Sequence, residues 1–150
     1  MKRPNSAGAI AAATLAVAGL TGSAIAATSG KLFYEAGKAA APPYALVTVS
    51  HGKVTTVRWD MRQSCNGSPN GFNGEVTKLN TPIKHGRFSK TVHYTIGATA
   101  LGTSTGRTTI KGTISGRHAT LTINDQESIV SLGSCGSFHK FKATETSKFH

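Results

Sequence analysis

Acidic residues are scarce in this chain. Glu35, Asp60, Glu75, Asp125, Glu127 and Glu145 are the only carboxylates among 150 residues, against seventeen Lys and Arg. That scarcity removes several chemistries at once. A calcium loop draws its strength from several carboxylates, and the Asn- and Gly-rich stretch "SCNGSPNGFNGEV", expected to be the longest irregular loop, offers Glu75 alone. Glycoside hydrolysis needs two opposed carboxylates, and the one close couple, Asp125 and Glu127 in "NDQES", reads as a turn between strands. No HExxH or close histidine pair occurs, so zinc has no ready frame. His93 belongs to a polar strand face, His139 to a strand and His150 to the terminus, while His51, His85 and His118 each lie within two residues of a turn glycine. No metal and no cofactor are expected.

Long stretches with helical spacing are missing too, and so is any tandem repeat. The one continuous apolar run, "AIAAATLAVAGL", is too short for a membrane span and follows Lys2 and Arg3, which is the layout of a secretory leader. Ala24 and Ala26 fit the small residues before a cut, so residues 1–26 are expected to be a signal peptide and 27–150 a single exported domain with no membrane span. Loss of Lys2 and Arg3 with the leader takes the formal charge from +11 to +9. Such a field favours encounter with anionic surfaces and says nothing about the fold.

Cysteine is nearly absent: Cys65 and Cys135 stand alone. An even count in an exported chain argues for one disulfide, Cys65–Cys135, rather than a reactive thiol at "GSCGS". What is abundant is Thr, Val, Ile and Gly in alternating order, the pattern of half-buried strands. In "YALVTVSHGKVTTVRWDMR" two such runs flank His51-Gly52; in "RFSKTVHYTIG" Phe88, Val92, Tyr94 and Ile96 share one face; in "RTTIKGTISGRHATLTIND" Ile110 and Ile114 answer Leu121 and Ile123 across Gly116-Arg117. "SFHKFKATE" supplies a final strand, and "APPY" reads as a connection or an edge. The expected fold is all-β, a two-sheet antiparallel sandwich of roughly eight strands, with a closed barrel as the alternative.

The succession "HGKVTTVRWDMRQSC", "GRFSKTV", "GTISGRHATLTI" and "GSCGSFHKFKA" resembles a group of uncharacterised secreted β-proteins from actinobacteria, over residues 31–144. The resemblance implies the same fold and compartment and brings no functional residue with it.

One catalytic pattern occurs. "GTSTG" at 102–106 fits G-x-S-x-G with Ser104 in the reactive place, but the nucleophile elbow needs a strand before it and a helix after it, and "RTTIKGTI" reads as strand. A turn is the expectation there; a small secreted hydrolase using Ser104 is the alternative function. The leading expectation is a secreted, non-catalytic binding or structural domain whose basic surface associates with anionic cell-envelope or extracellular polymer, without specific nucleic-acid recognition. The candidate residues cluster at three corners, "SHGK", "KHGR" and "SGRH": His51, Lys53, Lys84, His85, Arg87, Arg117 and His118. Whether those corners meet at one end of the sheets decides whether they form a single positive rim.

Overall fold

The computed structural model describes residues 30–147 except 40, 77, 100 and 101, and at 70–73, 98 and 99 the backbone alone. The leader and cut expected over 1–26, and His150, lie outside the described residues. Nine strands make up the fold: β1 (Lys31–Lys38), β2 (Ala41–Ser50), β3 (Lys53–Cys65), β4 (Ser68–Val76), β5 (Thr81–Pro82), β6 (Arg87–Thr99), β7 (Gly102–Ser115), β8 (His118–Ile129) and β9 (Gly133–Thr146). Among the described residues there is no helix.

The strands form one antiparallel sheet in the order β4-β3-β2-β1-β9-β8-β7-β6, with β5 beside β3. The sheet closes through β9. One edge of β9 pairs with β8 along its length; the other meets β3 at Cys65↔Cys135 and β1 at Tyr34↔Glu145. Since β1, β2 and β3 are paired in succession, a small barrel results, and the remaining strands extend from it. The closed alternative is thus the one adopted, with nine strands where about eight are expected. The disulfide joins Cys65 to Cys135, 70 residues apart in sequence, at the point of closure.

Alternation drives this arrangement. Inward positions of β3 carry Val54, Val57, Trp59 and Met61, and those of β8 carry Ala119, Leu121 and Ile123, all buried in one cluster with Tyr34, Val47, Phe88, Ile110 and Phe141. Three aromatics lie over glycines directly opposite them in register: Trp59 on Gly74, Phe88 on Gly112 and Tyr94 on Gly106. A Cβ at Gly74 would stand 2.2 Å from the indole, so the glycines are the space the rings occupy.

Two stretches differ from expectation. The Asn- and Gly-rich segment is not a loop: Asn66 and Gly67 turn with φ of 46° and 84°, and β4 then pairs with β3 from Cys65↔Ser68 to Val57↔Val76. "APPY" is the head of β2, where Pro42 and Pro43 precede the first β3 pairing, Tyr44↔Asp60, so their missing N–H groups cost no bond in that ladder.

Candidate anion-binding face

The three corners are two-residue hairpins, and local backbone chemistry explains their sequences. Ser50↔Lys53, Lys84↔Arg87 and Ser115↔His118 are the closing pairs. His51 and Gly52 have φ of 50° and 69°, His85 and Gly86 49° and 73°, the left-handed pair of a type I′ turn. Histidine tolerates that region better than bulky side chains do, and glycine adopts it freely. At the third corner Gly116 alone is left-handed, at 55°, the pattern of a type II′ turn.

Alternate strand ends place all three corners at one end of the barrel. Backbone bonds chain them together: Ile83 N–H donates to Gly52 O at 2.9 Å, Ile114 N–H to Gly86 O at 2.7 Å, and Glu145 N–H to Arg117 O at 2.8 Å. From inside, the Tyr34 hydroxyl donates to Gly116 O at 3.1 Å. His51, Lys53, Lys84, His85, Arg87, Arg117 and His118 are all exposed there. The histidines sit on separate corners, and among the described residues no three His, Cys, Asp or Glu side chains gather.

Sequence reasoning located the corners and missed what they adjoin. The outward positions of β6–β9 line up in rows across the sheet: Arg87, Thr113, Thr120 and Lys142; then Ser89, Lys111, Thr122 and Lys140; then Thr91, Thr109, Asn124 and Phe138; then His93, Arg107, Gln126 and Gly136. No carboxylate side chain points outward in these rows. A groove of about 850 Å³ at one end of this face and one of about 670 Å³ at the other are its concave parts. The smaller lies against the corner at 84–87 and is lined by Lys84, Arg87 and Lys111 together with Thr113, Thr120 and Thr122. The larger lies beside the disulfide, between Asn66 and the outer face, and contains His93 and Arg107. There Gln126 Oε1 accepts from Arg107 Nε at 2.8 Å and Nη2 at 2.6 Å, which fixes the guanidinium in place.

Behind this face the missing acids reappear. Asp125 and Glu127 are not in a turn: they continue the inward positions of β8 after Ile123 and are buried, 0% and 5% exposed. Thr108 Oγ1 donates to Asp125 at 2.5 Å, and Tyr94 OH reaches both its oxygens at 3.2 Å. Glu127 accepts from Gln63 Nε2 at 2.9 Å and from the Ser104 hydroxyl. Burial pushes the Asp125 carboxyl up from its ordinary value and the Glu127 charge adds to this, while the Thr108 and Tyr94 bonds pull it down. Tyr94 is also raised, first by burial and then by Asp125.

These bonds decide what "GTSTG" does. It lies within β7 rather than in a turn, with Ser104 facing inward and its hydroxyl occupied by Glu127. His93 stands on the opposite, outward face beside Arg107. No histidine bonds Ser104 among the described residues, and the geometry offers it no general base of the Ser–His kind.

Fold and face together define a small disulfide-closed β-barrel with one cationic, hydroxyl-rich side. No protein-family model matches the chain, and no curated protein or solved structure matches it.

Proposed function

We propose that this is an exported, non-catalytic binding domain that associates through its basic end and outer β6–β9 face with anionic polymer of the cell envelope or extracellular matrix. One observation carries the reading: the three hairpin corners share an end of the barrel, and the one at 84–87 lines a groove holding Lys84, Arg87 and Lys111. Opposed strands hold Arg87 and Lys111 in register with Thr113, Thr120 and Thr122, so a polyanion meets them without ordering a loop first. The leader-like pattern of residues 1–26 and the disulfide accord with export, because such bonds persist in oxidising compartments.

Retention on an anionic matrix tests it. The secreted chain is expected to elute only at salt well above that which releases a neutral protein, since exposed charges are screened as ionic strength rises. Elution at low salt would remove the proposal.

A further inference from the structure

We infer that the outer face of β6–β9 is a track for a linear acidic polysaccharide, with one sugar ring seated on Phe138. This rests on the anionic-polymer reading and narrows it to one class of polymer. Phe138 is 59% exposed, although Phe88 and Phe141 are buried. Among the described residues two other large apolar side chains are exposed, Val130 in the turn after β8 and Ile96 on β6; Phe138 lies on β9 between outward Gly136 and outward Lys140. Gly136 has no side chain, so one flank of the ring is open, while Lys140 places a cation about 7 Å along the strand on the other.

Around the ring the neighbours are hydroxyls and amides. Asn124 stands opposite it, then Thr109 and Thr91, whose hydroxyls bond each other at 3.1 Å; Thr113 and Thr120 make the same contact at 2.7 Å one row beyond the lysines. A pyranose presents C–H groups on its face and hydroxyls at its edge, and needs an apolar plate ringed by polar groups. Its carboxylates need cations further out. Lys111, Lys140, Lys142 and Arg87 supply them toward the corners and Arg107 toward the disulfide, so the rows from Arg87 to Arg107 span about 20 Å. Nucleic acid fits less well: single strands are held by aromatics under successive bases, and among the described side chains this face has one.

The test measures affinity of the secreted chain, and of its Phe138→Ala and Phe138→Trp variants, for polygalacturonate, for inorganic polyphosphate and for single-stranded RNA at one salt concentration. Phe138→Ala is expected to weaken polygalacturonate about tenfold, the loss of one ring contact, and polyphosphate by less than about twofold. Phe138→Trp is expected to keep the affinity and to give an emission change with polygalacturonate, reported against the buried Trp59. If Phe138→Ala weakens all three equally or none, the track is wrong while the anionic-polymer reading stands. If RNA binds more tightly than polygalacturonate and depends on Phe138, the occupant is nucleic acid and the inference is overturned. Failure of the parent chain to bind any of them removes both readings.

Discussion

Ile114 donates its backbone N–H to Gly86 O at 2.7 Å, tying the corner at 84–87 to the strand end that opens the corner at 115–118. Through that bond two cationic hairpins become one surface, with Arg87 at the head of its outermost row.

Arg87→Gln and Lys111→Gln should each lower the slope of log affinity against log salt for a flexible polyanion by about 0.7, the value for one lost contact on a single-stranded polymer. Titrations at four or five salt concentrations check this. An unchanged slope would place those side chains outside the contact.

Stability should carry the mark of Asp125. Its carboxyl is raised on folding, so the folded chain holds that proton more tightly than the unfolded one. The resulting stabilisation is full below the unfolded value of 3.8 and is lost as pH rises through the folded one. Relative to Asp125→Asn, the parent's Tm should therefore fall as pH rises above 3.8. Tyr94, Thr108 and Glu127 face the group and remain in both proteins, so the difference reports Asp125 together with its coupling to them.

Gly106→Ala should cost about 1–3 kcal/mol through overpacking. The added Cβ would stand 2.5 Å from the Tyr94 ring and 2.8 Å from Gln126 O. In a Tyr94→Ala background the ring's share of the cost disappears, and a double-mutant cycle by chemical denaturation measures that share.

Reduction of Cys65–Cys135 should lower stability by about 4 kcal/mol on the loop-entropy estimate for a closure of this length, the cysteines being 70 residues apart. Denaturation with and without reductant reads this directly. The effect should exceed that of any single groove substitution, because β3 meets β9 there in only two paired positions.

The sequence made the corners legible because a positive φ needs particular residues. His51-Gly52, His85-Gly86 and Gly116-Arg117 announce hairpins through local sterics alone. The disulfide followed from a count of two. Closure into a barrel depends on β9 touching both β1 and β3, contacts between distant residues that no local pattern encodes. The buried acids were hidden by composition: "NDQES" looks like a turn, yet strict alternation from Ala119 through Leu121 and Ile123 puts Asp125, Glu127 and Ile129 on the same inward face. The same parity places Lys140 and Lys142 outward with Phe138, and only the β8–β9 register shows that Lys111 lies in the row of Lys140.

Equal charge removed from two places tests the central claim most directly. Lys84→Glu with Lys111→Glu reverses two of the groove's three cations, whereas Lys38→Glu with Arg62→Glu removes the same charge from exposed positions on β1 and β3. Retention of the two double variants on a polyanionic matrix is compared at one salt concentration. If the face binds, the groove variant elutes well before the parent and the control elutes close to it. If both shift equally, binding follows net charge alone, and the groove has no special part in it.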